Sequence, residues 1–432
     1  MESDSREGLG QDMSQAEEPV LSYGKQTLDE TDRRAVLQIL EGDWLTQGPT
    51  VERFEDALCG YFGTARGVAC SSGTAALHLA AQAMGWGRDD VILVPAMTFL
   101  ATANCCVSVG AEPFFVDIDE DTLTIDPNEV ERRVKELRAK GKRVRGVVGV
   151  DMAGHPCDWV ALRALADRYD LDLLDDACHA MGGTYAGGTK VGSCEHADAT
   201  TLSFHPVKHI TSGEGGAVLT NDPSLADRVG MLRNHGVVRG EGVVPDWEGP
   251  WHSDMVELGF NYRLTDLQCA LGLAQLPRLD GFVQRRREIA AMYGHLFAPF
   301  DSIRCPTERP GTTHAYHLYP VRIPFADSGT SRREVFSRCL SGGIQLQVHY
   351  RPVIDNSFYA TREYTSYARD ALPATRRFYE QAVSLPMYPL LRDEDLERVV
   401  RVVTGALGEA GMTIGDSTGE EVGTHTRQAF TP

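Results

Sequence analysis

Long apolar runs are missing from this chain of 432 residues. No stretch approaches the ~18 consecutive apolar residues needed to cross a bilayer, so no membrane span is expected. The first residues, Met1-Glu2-Ser3-Asp4-Ser5-Arg6-Glu7, are acidic and contain no apolar segment of the secretory kind, and the expected location is the cytoplasm. Basic side chains are scarce, with 42 Lys and Arg against 61 Asp and Glu and a formal net charge of −19. That deficit argues against nucleic acid or an anionic membrane as a main partner, but not against a small anion held in a local basic pocket. Paired cysteines are missing too. Of ten cysteines only Cys105 and Cys106 lie close together, and their adjacency fits neither a C-x-x-C redox motif nor a zinc ribbon. Buried, reduced thiols are expected instead. There is no dinucleotide fingerprint: Gly213-Glu214-Gly215-Gly216 lacks the third glycine at the required spacing and precedes a strand pattern rather than a helix. His205 and His209 have i, i+4 spacing, but Pro206 interrupts a regular helix there and no Glu follows His205, so no metal site is expected.

With 42% hydrophobic and 24% charged residues, the composition is that of a globular protein. The length exceeds what one hydrophobic core usually serves, so two domains are expected. Residues 1–20 and 413–432 read as disordered acidic tails. Between them, 21–285 reads as a large domain and 286–412 as a smaller α+β domain, with a long helix from Leu276 to Phe297 at the boundary. Thr27-Leu28-Asp29-Glu30 has the spacing of a capping box and predicts a first helix starting at Thr27, with Val36, Leu37 and Leu40 on an apolar stripe. A second helix follows with Val51, Phe54 and Leu58 on one face. Short apolar strands are then expected at Gly67–Cys70, Val91–Val94, Pro113–Val116, Arg145–Val150, Leu171–Asp175, Ala199–Phe204 and Ala217–Thr220. Helical patterns at Gly73–Met84, Asn128–Ala139 and Trp159–Tyr169 alternate with them. The pattern predicts an α/β fold: a mostly parallel sheet covered by helices on both faces. Such sheets bind ligands at the carboxyl ends of their strands.

Several candidate residues fall at those ends. Lys208 lies between the apolar strand ending at Phe204 and the glycine run Gly213–Gly216, well placed to form a Schiff base with a carbonyl compound. Asp176 ends another apolar strand, and its neighbour Asp175 should point to the opposite face. A lysine and an aspartate at neighbouring strand ends suggest pyridoxal 5'-phosphate (PLP), the lysine on the aldehyde and the aspartate on the pyridine nitrogen. A buried carboxylate without a cation is costly, and a pyridinium would explain one here. Cys70-Ser71-Ser72-Gly73-Thr74-Ala75 reads as strand, turn and helix start, where exposed amides and hydroxyls could hold a phosphate; taken alone it reads equally as a simple helix cap. Phe99, after Pro95-Ala96-Met97-Thr98, is an aromatic at the same rim and could stack on a flat ring or belong to the core.

The motifs Leu45-Thr46-Gln47-Gly48-Pro49, Ser71-Ser72-Gly73-Thr74-Ala75, Asp176-Ala177-Cys178-His179, Ser203-Phe204-His205-Pro206-Val207-Lys208, Gly213-Glu214-Gly215-Gly216-Ala217, Arg233-Asn234-His235-Gly236 and Gly259-Phe260-Asn261-Tyr262-Arg263-Leu264 occur in this order. Together they resemble the DegT/DnrJ/EryC1/StrS sugar-nucleotide aminotransferases, fold-type I PLP enzymes, from about Tyr23 to about Gly408. The resemblance implies that Lys208 carries the cofactor and shuttles the proton, Asp176 pairs with the pyridinium, Phe99 stacks on the ring and His179 flanks the ring or its 3'-oxygen. Gly73, Thr74 and Ser203 would hold the phosphate. Asn261 would reach the phosphate of the neighbouring subunit's cofactor, which implies a homodimer. Tyr23, His235, His317, His349 and Tyr350 would line the sugar-nucleotide side.

The wording of Asp151-x-Ala153-Gly154-x-Pro156 and Gln347-Val348-His349-Tyr350-Arg351-Pro352-Val353 is similar to the branch that aminates C4 of a UDP-linked 4-keto sugar for pseudaminic acid. Met152 stands where that branch usually has tyrosine. L-Glutamate would be the amino donor, leaving 2-oxoglutarate. Other family branches set the alternatives: a transaminase for dTDP- or GDP-linked sugars, a PLP-dependent sugar dehydratase, or a non-catalytic sugar-nucleotide sensor. Lys208, where the dehydratase branch has histidine, favours transamination.

Overall fold

The computed structural model describes residues 19–239, 251–369 and 371–409. Most of both tails expected to be disordered, and 240–250 of the loop Gly236–Ser253, lie outside the described residues. Seven strands form the central sheet: β1 (Arg66–Cys70), β2 (Asp90–Pro95), β3 (Glu112–Val116), β4 (Arg143–Val150), β5 (Asp172–Asp176), β6 (Ala199–Ser203) and β7 (Gly216–Thr220). Their order is β1-β7-β6-β5-β4-β2-β3. Strand β7 runs antiparallel to both of its neighbours, and all other pairs are parallel. Both faces are buried, which is why the strands read as continuous apolar runs. One face packs Phe54, Trp159, Leu173 and Leu202 into a core, and the other packs Leu77, Ile92, Val94 and Leu174. Helices cover both faces, as expected.

Helices α1 (Glu30–Leu40), α2 (Pro49–Phe62), α3 (Gly73–Ala83) and α4 (Leu100–Ser108) belong to this layer. Helix α3 begins at the glycine that the Ser-Ser-Gly-Thr wording predicts, with Ser72 as its cap. Helix α2 buries Phe54 and Leu58 as its stripe requires. Helix α1 departs from expectation. Its cap is Asp29, not Thr27, and the capping box joins Asp29 to Asp32. Arg278 pairs with both carboxylates, which favours the later start. The predicted stripe is also not buried: Leu37 is 53% and Leu40 56% exposed, while α1 rests on the helix Asp266–Gln275.

Beyond the sheet, a third core joins Ile289 and Tyr293 of the long helix Leu279–Phe297 to Tyr319, Val321, Val383, Leu385 and Val399. The strands Tyr319–Arg322 and Ala382–Leu385 pair antiparallel within it, and the helix Asp393–Ala406 closes it. Leu21 packs into this layer and exchanges backbone hydrogen bonds with Gly343 and Gln345. That places Tyr23, near the start of the chain, beside residues from its C-terminal quarter. Met387 N–H donates to the Tyr23 carbonyl.

Candidate active site

A cavity of about 540 Å³ opens at the carboxyl ends of β4, β5 and β6, bounded on one side by the starts of α3 and α4. Of the residues expected at the site, Tyr23, Gly73, Thr74, Phe99, Asp176, His179, Ser203, Lys208, His317, His349 and Tyr350 all line it.

The helix start comes first. Ser72 Oγ accepts the Ala75 N–H at 3.1 Å, fixing the first turn of α3. The amides of Gly73 and Thr74 have no acceptor within the helix, so they present donors and the positive end of the helix dipole. Space there is tight. A Cβ on Gly73 would stand 2.9 Å from Ser203 Cβ, and one on Gly216 would stand 2.4 Å from the Ser72 carbonyl oxygen. Glycine at both positions lets β6 and β7 close against the turn and brings Ser203 beside it.

Strand periodicity separates the two adjacent aspartates. Asp175 faces one side, where its carboxylate accepts from Tyr185 Oη at 2.7 Å and Thr200 Oγ1 at 3.3 Å. Burial, and then Asp151 nearby, holds it well above the usual carboxylate range. Asp176 faces the other side and lines the cavity, buried to 5% exposure. It accepts from Thr102 Oγ1 at 2.7 Å and from the Cys178 N–H at 3.3 Å. It has no ion-pair partner within 4.0 Å among the described residues.

Lys208 sits in the turn after β6, its N–H donating to the His205 carbonyl at 2.9 Å. The Lys208 Nζ lies 3.5 Å from His317 Nε2. Burial lowers the lysine's pKa; Cys178 and Asp176 oppose that shift. A ring of neutral histidines surrounds it. Burial, followed by the charge of Lys208, pushes His179 and His317 well below the ordinary histidine range and His349 down to about 4. His179 Nε2 lies 3.2 Å from Tyr350 Oη, while the buried Nδ1 atoms of His179 and His317 have no hydrogen-bond partner among the described residues. His349 Nδ1 meets Ser384 Oγ at 2.9 Å. Phe99 stands at the N-cap position of α4, 52% exposed, with its ring centre 5.8 Å from that of Tyr350.

Two expected residues fall elsewhere. His235 and Asn261 are exposed and lie on adjoining loops, joined by the His235 N–H to the Phe260 carbonyl and a bridge between Asn234 and Asn261. Neither lines this chain's own cavity, although the Asn261 loop reaches its rim, where the Ser71 N–H donates to the Tyr262 carbonyl at 2.8 Å. The sequence reading missed Thr98, Thr102 and Cys178. No spacing rule ties Thr102 to Asp176, 74 residues away, and Cys178 carried no signal beyond its place after Asp176.

Among the described residues, Lys208 is the only Lys or Arg that lines the cavity. No group of His, Cys, Asp and Glu side chains among the described residues is arranged to hold a metal ion. The residues present fit PLP on three counts. They supply an amine whose proton affinity burial reduces, a buried carboxylate lacking a cation, and a narrow cradle of free amides at a helix start.

The chain as a whole is similar to known proteins. A Campylobacter jejuni protein, UDP-4-amino-4,6-dideoxy-N-acetyl-beta-L-altrosamine transaminase, is 36% identical over 383 residues, 88% of this chain and 96% of that protein. Helicobacter pylori PseC, an aminotransferase involved in the biosynthesis of pseudoaminic acid, superposes with a TM-score of 0.80 at 29% identity, covering 90% of this chain and 99% of that one. Spr1654 from Streptococcus pneumoniae, solved in a PLP form, gives a TM-score of 0.79 at 27% identity, with 91% and 100% covered. Residues 26–404 match one family throughout: this chain belongs to the DegT/DnrJ/EryC1/StrS aminotransferase family.

Proposed function

We propose that this aminotransferase uses PLP to move the amino group of L-glutamate to C4 of a UDP-linked 4-keto-6-deoxy-N-acetylhexosamine in the cytoplasm, acting as a homodimer. The observation that carries the reading is the meeting of Lys208, Asp176 and the start of α3 in one cavity. The identity to the Campylobacter jejuni transaminase supports the substrate class.

When bound, PLP supplies an electron sink for the carbon that gains or loses the amino group. Lys208 Nζ would carry a proton between that carbon and the carbon across the exchanged nitrogen, a task suited to an amine whose pKa burial has lowered. Asp176 accepts the ring N–H and keeps it protonated. Gly73, Thr74 and Ser203 would hold the phosphate, Phe99 would stack on the ring, and His179 would flank it. Tyr23, His317, His349 and Tyr350 line the sugar side. The neutral histidines offer hydrogen bonds without adding charge that would compete with Lys208.

Two observations support the dimer. Glutamate and a nucleotide diphosphate bring several negative charges, and a cavity with one lysine cannot balance them from its own wall. Leu37, Leu40, Trp44 and Leu45 also leave apolar surface exposed around α1. In the dimer, Asn261 and His235 serve the neighbouring cavity. The test is a panel of 4-keto nucleotide sugars supplied with glutamate. Stoichiometric 2-oxoglutarate with the UDP-linked sugar is the expected result. Turnover confined to dTDP- or GDP-linked sugars, or loss of water without 2-oxoglutarate, would overturn it.

A further inference from the structure

Two buried threonines at the cavity, Thr98 in its wall and Thr102 behind it, have no part in the roles above. Thr98 follows β2, and Thr102 lies one turn into α4. Their hydroxyl oxygens are 2.8 Å apart, and Thr102 Oγ1 donates to Asp176 Oδ2 at 2.7 Å. The Cys178 N–H serves the other carboxylate oxygen at 3.3 Å.

A hydroxyl has one proton, so the direction of this chain can be worked out. If Asp176 is ionised, Thr102 gives its proton to the carboxylate and accepts that of Thr98. Every hydroxyl proton then has an acceptor. If Asp176 carried a proton on Oδ2, the order would reverse, and the Thr98 proton would need an acceptor beyond Thr102. No other side-chain hydrogen bond of Thr98 is found among the described residues, and a buried donor left unpaired is costly.

We propose that Thr102, backed by Thr98, is a positioning residue that holds Asp176 as an acceptor-only carboxylate facing the cofactor's ring nitrogen. The inference rests on the proposed use of PLP. The relay matters because Asp151, Asp175, Cys178, Lys208 and Tyr350 all sense the charge on Asp176, and Lys208 is the only one of them that favours it as a cation. Hydroxyl donors settle the carboxylate without adding a cation that would compete with the ring.

The experiment titrates the full-length apoprotein with pyridoxal 5'-phosphate and then follows the bound cofactor's absorbance against pH. T102V keeps the side chain's shape and removes the hydroxyl; T102S keeps the hydroxyl and removes a methyl. T102V is expected to weaken cofactor binding about tenfold or more, the effect of losing a hydrogen bond to a charged group, and to shift the pH midpoint of the absorbance change. T102S should stay within about threefold of wild type and restore the midpoint. T98V should weaken binding less, and T98V/T102V should be no weaker than T102V beyond about twofold, because the two act in series. Wild-type affinity and midpoint in T102V, or equal losses in T102V and T102S, would overturn the relay. Should T102V fail to fold, an unchanged affinity and midpoint in T98V would overturn it. A wild-type protein that binds no pyridoxal 5'-phosphate would instead sink the cofactor reading, and the relay with it.

Discussion

The two sides of this cavity are built differently. The side proposed to hold the cofactor is framed by strand ends and helix starts of one buried layer: Asp176 on β5, Ser203 on β6 and Gly73 on α3, with Thr102 of α4 bonded to Asp176. Its polar groups are hydrogen-bonded or set in tight turns that exclude even a methyl group. The side proposed to face the substrate draws on loops and distant segments, Tyr23 at one end of the chain and His349 and Tyr350 near the other. One of its expected residues, His235, lies outside the cavity. A reaction shared by a whole family can rest on the rigid side, while the choice of sugar is left to the assembled side.

The sharpest way to break this comparison is on the rigid side. K208A is expected to lower kcat by about 10³-fold or more, with thermal stability close to wild type. A K208A enzyme retaining a tenth of the activity would show that the proton is moved elsewhere. D176N keeps the shape and one acceptor oxygen but removes the charge. It should lower kcat by about 10²-fold and weaken cofactor binding, measured by turnover assay and cofactor titration.

The assembled side is tested through α1. Replacing both exposed leucines in L37E/L40E should convert a dimer to a monomer in sedimentation velocity. Each change is a surface substitution, so monomer stability should move by no more than about 0.5 kcal/mol per site, while activity falls with the dimer. A variant that stays dimeric and active would remove α1 from the interface.

The smallest expected effect is on pH. His349 is held near 4 in the folded state against about 6.5 unfolded, so between those values the unfolded chain binds the extra proton. Its contribution to stability is complete above about pH 6.5 and is lost as pH falls toward 4, at up to about 1.4 kcal/mol per pH unit. Urea midpoints from pH 4.5 to 8 should therefore fall on acidification, and less steeply in H349Q. Equal slopes would mean that His349 is not kept neutral. His179 and His317, lowered in the same direction, add to the wild-type slope.

The same division governs what could be read from the sequence. The strands were legible because a sheet buried on both faces demands uninterrupted apolar residues, and Trp159–Tyr169 forms the helix its pattern predicts. Lys208, Asp176 and Gly73 were legible because strand ends, charge and glycine follow local rules. The start of α1 was misplaced because Thr27 and Asp29 both make acceptable caps, and the choice is favoured by Arg278, far along the chain. The exposure of Leu37 and Leu40 was hidden because periodicity shows which face is apolar but not what covers it. Thr102 was missed because its partner, Asp176, is 74 residues away, and no spacing rule connects them.

The central claim is that Lys208 carries the cofactor. Reduction of the PLP-loaded protein with borohydride, followed by peptide mapping by mass spectrometry, tests it directly. The account predicts a stable pyridoxyl-phosphate adduct on the peptide containing Lys208 and on no other. An adduct on a different amine, or a cofactor left unattached, would contradict it.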